Sequence, residues 1–92
     1  MRNDRLHRKE GVFVKHLNNQ AFLAHPETNA IFNLNELGCA IWHVLETPIY
    51  TEEIADLLYI AFPDIPEENI HSDLMSLILQ LEQNGLISLS PT

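Results

Sequence analysis

The sequence contains little of what several classes of protein require. Its 92 residues include one cysteine, Cys39, so an internal disulfide bond cannot form and a reducing cytoplasm fits the composition. No run of about 18 apolar residues is present, which argues against a membrane-spanning helix. Residues 1–10 lack the apolar segment of a secretory signal. Together with a length that accommodates one hydrophobic core, these absences predict a single cytoplasmic domain.

Lysine and arginine are missing from most of the chain. All five of them lie at or before Lys15, whereas residues 16–92 contain eleven carboxylates and carry a charge of about −11 with histidine neutral. Such a charge repels the phosphates of nucleic acids and anionic lipid headgroups, so we expect neither a nucleic-acid nor a membrane partner. The charged residues 1–10 are predicted to be a flexible basic N-terminus, followed by one domain over residues 11–92.

Patterns for catalysis and metal binding are also absent. Cys39 and His43 are one helical turn apart, as a nucleophile and its base could be, but no oxyanion donor loop accompanies them. The five histidines show none of the close spacings of a zinc site. We therefore expect a protein that is not an enzyme, with no catalytic residue, no metal and no cofactor.

The first half of the chain has the composition of a small sheet. After Gly11, three runs rich in β-forming residues are separated by turns that contain asparagine or proline. Connections this short join antiparallel strands in a meander. The predicted strands are Val12–Leu17, Gln20–His25 and Ala30–Leu34.

The apolar period changes to that of helices after Asn35, which is a good N-cap. A first helix should end before Pro48 with Trp42 in the core, and a second should run from a Thr51 cap to Pro63. A third should begin with an Asp64–Glu67 capping box and end at Asn84, before Gly85 and a short strand, Leu86–Leu89. The order predicts an α+β, winged-helix-like fold: a three-stranded antiparallel sheet, a three-helix bundle and a short C-terminal strand.

Two features of this predicted fold point to a peptide-binding groove. The third strand is short, apolar and uncharged, so as an edge strand its backbone would be open to pairing with a peptide. The third helix has an apolar arc wider than one packed face needs. Either the helix is central and is packed on both sides, or part of the arc lines a groove. We assign Leu74, Leu77 and Leu81 to the core, and the predicted peptide-binding residues are Ala30, Ile31, Phe32, Asn33, Leu34, His71, Met75, Ile78 and Leu79.

The run from Phe22 to Leu89 resembles the PqqD-like family, also called RiPP recognition elements. The matching features are, in order, the third strand running into Leu34-Asn35, then Ala40-Ile41-Trp42, Thr51-Glu52-Glu53-Ile54, Asp73-Leu74 with Leu77, Ile78 and Leu81, and Asn84-Gly85-Leu86-Ile87. The resemblance implies a peptide chaperone that binds the leader of a ribosomally synthesised precursor and presents it to a modifying enzyme, often a radical-SAM protein. It also implies that the leader pairs with the third strand and lies against the third helix.

One segment departs from the family pattern. Proteins of the pyrroloquinoline quinone pathway usually have Asp-Gly after the first helix, where this chain has Glu46-Thr47-Pro48. The resemblance therefore leaves the pathway open, and the sequence leaves homodimer formation open. The alternative function, from a different class, is a winged-helix protein-interaction module of a regulatory complex.

Overall fold

The computed structural model describes residues 5–18 and 20–90. Within them the chain forms two three-stranded antiparallel sheets and a layer of helices, which confirms the α+β prediction. The elements are β1 (Arg5–Arg8), β2 (Phe13–Leu17), β3 (Gln20–His25), β4 (Ala30–Leu34), α1 (Glu36–Val44), β5 (Ile49–Tyr50), α2 (Thr51–Ala61), α3 (Glu67–Gln83) and β6 (Ile87–Ser90).

The predicted meander is the sheet in the order β2-β3-β4. Asn18 and Asn29 adopt positive φ angles of 57° and 58° in the two turns, as the turn signals predicted, while Asn19 lies outside the described residues. Leu23 at the centre of β3 faces Val14 on β2 and Phe32 on β4. The buried residues of β3 alternate with its less buried ones, so one face of this sheet covers the core.

The second sheet corrects the prediction for the N-terminus. Residues Arg5–Arg8, expected to be flexible, form the central strand of the order β5-β1-β6. Composition alone misses this because a single apolar side chain anchors the segment: Leu6 is 2% exposed. The Arg8 guanidinium, 4.7 Å from the Trp42 ring centroid, donates from Nε and Nη2 to the Trp42 carbonyl at 2.9 and 2.6 Å. Residues 1–4 of the predicted flexible segment lie outside the described residues.

The helices begin and end close to the predicted residues, with one clear exception. Asn35 caps α1 through Oδ1, which accepts from the Gly38 amide at 2.9 Å. The helix α2 starts one residue earlier than expected, because Tyr50 and not Thr51 is its N-cap. The Asp64 cap is wrong: α3 starts at Glu67 after Pro66, with no side-chain cap. Between α2 and α3, the Ile65 amide donates to the Phe62 carbonyl at 3.2 Å, which places Asp64 in a turn.

The end of α3 follows its sequence signal closely. Gly85 has φ 69°, and the amides of Gly85 and Leu86 donate to the carbonyls of Glu82 and Leu81 at 3.1 and 2.9 Å. This pair of bonds is a Schellman motif, which turns the chain directly into β6. Because β6 pairs with β1, the C-terminal strand does not cover β4.

The core lies among the helices, the inner faces of β3 and β4, and the second sheet, which contributes Leu6 and Ile87. Trp42 is 3% exposed, which confirms it as a core residue, and α3 contributes a buried stripe of Ile70, Leu74 and Leu81. The largest fully buried side chains are Leu23, Leu34, Ile41, Leu45, Ile54, Leu58, Ile70, Leu74, Leu81 and Leu86.

Candidate functional site

The strand β4 is an edge of its sheet, as predicted. It pairs with β3 along one side, and no other strand in the described part of the chain pairs with its second side. Backbone donors and acceptors on that second side are available to another extended segment. The first requirement for strand addition is therefore met.

The side chains of β4 alternate between the two faces of the sheet. Leu34 is buried and Phe32 packs against the core, so these two point inward with the buried Leu23. Ile31 is 76% exposed on the outer face. Asn33, on the same face, donates from Nδ2 to Gln20 Oε1 at 3.3 Å. An added strand would alternate in the same way, so every second side chain of a bound peptide would point toward the helices.

A groove of about 410 Å³ lies beside the C-terminal half of β4. One wall is the strand itself, the opposite wall is α3, and the N-terminus of α1 closes one end. Apolar side chains share its surface with amides, a hydroxyl and one carboxylate. Its lining residues are Phe32, Asn33, Leu34, Asn35, Leu37, Gly38, Ile41, Asp73, Ser76, Leu77 and Gln80.

The close approach of α1 to β4 depends on Gly38. A Cβ atom at this position would lie 3.1 Å from Cδ2 and 3.2 Å from Cβ of Leu34, which is tighter than ordinary van der Waals contact. The glycine therefore lets the first turn of α1 lie against the end of β4, where the two elements close the groove.

The wall formed by α3 is not the one that the sequence predicted. It consists of Asp73, Ser76, Leu77 and Gln80, spaced i, i+3, i+4 and i+7 along one side of the helix. Leu77, assigned to the core, is half-buried: it packs against the core and also lines the groove. The core assignments of Leu74 and Leu81 are confirmed.

The predicted helix residues lie elsewhere on α3. Met75 and Leu79 are 45% and 53% exposed, His71 is also exposed, and none of the three lines the groove. Ile78 is half-buried and packs against the core. Phe32, Asn33 and Leu34 are the predicted site residues that line the groove, whereas Ala30 and Ile31 lie on β4 outside it. Peptide contacts by the residues outside the groove stay a prediction.

The groove residues that the sequence analysis did not identify fall into two groups. Asp73, Ser76 and Gln80 form a polar row beside the apolar stripe of α3, and Asn35, Leu37 and Gly38 belong to the first turn of α1. The polar row looks like an ordinary solvated face in the sequence. Only the position of β4 opposite the row turns it into one wall of a groove.

Cys39, which the sequence offered as a candidate nucleophile, is poorly suited to that role. Burial and the neighbouring Glu36 carboxylate raise the pKa of the Cys39 thiol, so little of it is thiolate at neutral pH. Its Sγ donates to the Leu34 carbonyl at 3.7 Å.

Within residues 5–18 and 20–90, no group of three or more His, Cys, Asp or Glu side chains could hold a metal ion. The helices of the same ranges are also too short or too polar to cross a membrane.

Known proteins match this chain at the level of a family and of a fold. The family model described as coenzyme PQQ synthesis protein D (PqqD) matches residues 20–87. A comparison with curated proteins gave no match.

Two solved structures are similar to the whole domain. TbiB1 in complex with the TbiA(beta) leader peptide is 24% identical, with a TM-score of 0.76 over 89% of this chain and 94% of its own. The PqqD truncation of Methylobacterium extorquens PqqCD, a functional and stand-alone RiPP recognition element, is 20% identical, with a TM-score of 0.71 over 91% and 88%. At these identities the likeness shows a shared fold.

Proposed function

The chain belongs to the PqqD family, and we propose that it is an adaptor that binds the leader of a ribosomally synthesised precursor peptide and presents it to a modifying enzyme. The observation that carries the proposal is the exposed edge of β4 beside a groove whose far wall is α3. An extended leader would pair with the β4 backbone and place alternate side chains in the groove, the usual mode of strand addition.

The two similar structures support this role. A protein of the same fold was solved with a leader peptide, and another is described as a stand-alone recognition element. We propose by the same argument that the chain works without a cofactor and leaves catalysis to its partner. A radical-SAM protein is the partner enzyme that we propose, the cytoplasm is the proposed location, and a homodimer is a further state to be tested.

The peptide-binding residues that we propose on the strand are Ala30, Ile31, Phe32, Asn33 and Leu34, all on β4. Opposite them, the groove residues of α3 are the closest helical contacts available to a peptide on this edge. The earlier assignment to His71, Met75, Ile78 and Leu79 would require the peptide to reach the other side of α3. The two assignments predict different effects of α3 variants on leader affinity.

Amide hydrogen exchange tests strand addition at β4. Because alternate amides of β4 already bond to β3 in an antiparallel pair, only the other alternate set should gain protection when a leader binds. The expected result is protection at residues 30, 32 and 34 or at 31 and 33, but not at all five. A search of the neighbouring genes for a short precursor supplies the leader that is used as the probe.

The opposite edge of the same sheet supplies the control. Strand β2 also has one side that no described strand pairs with, and its exposed amides should not change on binding. Protection at β2 in place of β4 would show that the leader pairs with the opposite edge of the sheet from the one that we propose. A leader that binds without protecting either edge would rule out strand addition as the mode of binding.

A further inference from the structure

We propose that the leader bound by this protein carries a lysine or arginine, which Asp73 recognises, next to an apolar side chain that fills the groove. This inference rests on the proposed function and names the class of leader. Asp73 is the only charged side chain among the described residues that line the groove. It stands on the α3 wall, facing the edge where a leader would lie.

The described part of the chain supplies no partner for this carboxylate. Asp73 makes no hydrogen bond or ion pair with any residue that the structure describes. Its own helix carries no lysine or arginine, and neither does any other part of residues 16–92. An exposed carboxylate without a cation beside a peptide groove is a recognition point for a basic side chain.

An acidic leader could instead be attracted by the N-terminus of α1, which closes the groove. Two residues of this turn weaken that attraction. Glu36 places a carboxylate in the first turn, and Asn35 Oδ1 already accepts from the Gly38 amide. The partial positive charge of the helix end is thus compensated within the protein. Asp73 therefore sets the sign of the charge that the groove favours.

The geometry also gives the spacing within the leader. Leu34, Ile41 and Leu77 provide an apolar surface in the groove, whereas Asp73 is exposed on its helical wall. Side chains of a strand paired with β4 reach this side at alternate positions. The basic residue should therefore lie two or four positions from the apolar one. The charge of about −11 on residues 16–92 further disfavours leaders rich in Asp and Glu.

Selection from a random twelve-residue peptide library, displayed on phage, tests the inference with the full chain as bait. The wild type should enrich Leu, Ile or Val with Lys or Arg two or four positions away. With Asp73→Asn the enrichment of basic residues should disappear while that of apolar residues remains. With Asp73→Lys, acidic residues should replace the basic ones at the same spacing.

Affinity measurements on one selected peptide give the magnitude. Asp73→Asn should weaken binding by about two- to fivefold, the range that exposed ion pairs give, and 500 mM salt should remove most of the difference. The matched control is Glu82→Gln, which removes a charge from the exposed surface of α3 outside the groove. This control should leave both the enrichment and the affinity unchanged.

The outcomes separate this inference from the proposed function. Apolar peptides that bind the wild type and Asp73→Asn equally, with no preference for basic residues, would overturn the role of Asp73 and leave leader binding intact. The same enrichment of basic residues with both baits would also overturn it. A bait that retains neither library peptides nor the precursor leader would overturn both proposals together.

Discussion

The two sides of α3 differ in composition, and the groove lies on one of them. One side carries Met75 and Leu79, which are exposed and apolar, and the other carries the polar residues Asp73, Ser76 and Gln80 beside Leu77. Exposed apolar side chains are the usual sign of a binding surface. Yet the groove lies on the polar side, because that is where β4 and α1 provide facing walls.

The groove therefore depends on opposing surfaces rather than on exposed apolar side chains. Met75 and Leu79, by contrast, do not line the groove beside β4. On the Asp73 side the strand backbone supplies hydrogen bonds, while Leu77 supplies apolar contact. The predictions below test this difference between the two sides, starting with the buried stripe that separates them.

The largest effect is expected at Leu74, which is fully buried between the two sides. Leu74→Ala should cost about 2–5 kcal/mol of unfolding free energy, because it leaves a cavity under both surfaces. That is much of the stability of a small domain, so peptide binding should be lost as well. Urea denaturation measures the change. An unchanged midpoint would show that α3 packs in a different orientation and that neither side is assigned correctly.

A steric block should separate the sides without unfolding the protein. Ser76 is exposed and lines the groove, so Ser76→Trp should fill it and weaken leader binding by about tenfold or more, equal to about 1.4 kcal/mol. Leu79→Trp adds bulk on the opposite side and is the matched control. Both variants should melt within a few degrees of the wild type. Loss of binding with Leu79→Trp alone would place the peptide on the Met75 side.

The fold was largely predictable because its signals are local. The asparagine turns, the Asn35 cap and Gly85 each satisfy a backbone requirement of one turn or helix end, and the structure uses them in that way. The predicted capping box at Asp64 does not form, because this segment forms a turn instead, in which the Ile65 amide donates to the carbonyl of Phe62. Pro66 then precedes the first helical residue.

The second sheet was not predictable for a different reason. Strand β5 consists of Ile49 and Tyr50 alone, too short for a period of two to be visible. Strand β1 is highly charged, and its order depends on partners that are distant in sequence: β6 and the Trp42 carbonyl. A charged segment is stable in a sheet when one side chain is buried and a cation finds an acceptor, and neither condition is visible in composition.

The edge strand of the candidate site could be predicted from the sequence, whereas the side of α3 that lines the groove could not. The edge character of β4 follows from composition and order, and the structure confirms it. For α3, the helical period shows that Leu77 and Met75 lie on different sides of the helix, but it does not show which of these sides faces the strand. That choice depends on how α3 packs over the sheet through Ile70 and Leu81, which is a tertiary property.

The smallest effects are expected for Leu77→Ala and Met75→Ala, and these two variants compare the two sides of α3 most directly. Leu77 is half-buried and lines the groove, so its truncation should weaken leader binding by about 1 kcal/mol and cost less stability than Leu74→Ala. Met75 is largely in solvent, so its truncation should change stability by no more than about 0.5 kcal/mol. Its effect on leader affinity should be too small to measure.

Titration calorimetry and thermal melting of both variants decide between the two sides, because each side predicts an opposite pairing of effects. If the peptide lies in the groove, Leu77→Ala loses affinity and Met75→Ala does not. If it lies on the side that the sequence suggested, Met75→Ala loses affinity while Leu77→Ala changes only the melting midpoint. Equal losses of affinity in both variants would mean that the peptide wraps around the end of α3. A straight strand paired with β4 cannot contact both the side that carries Leu77 and the side that carries Met75.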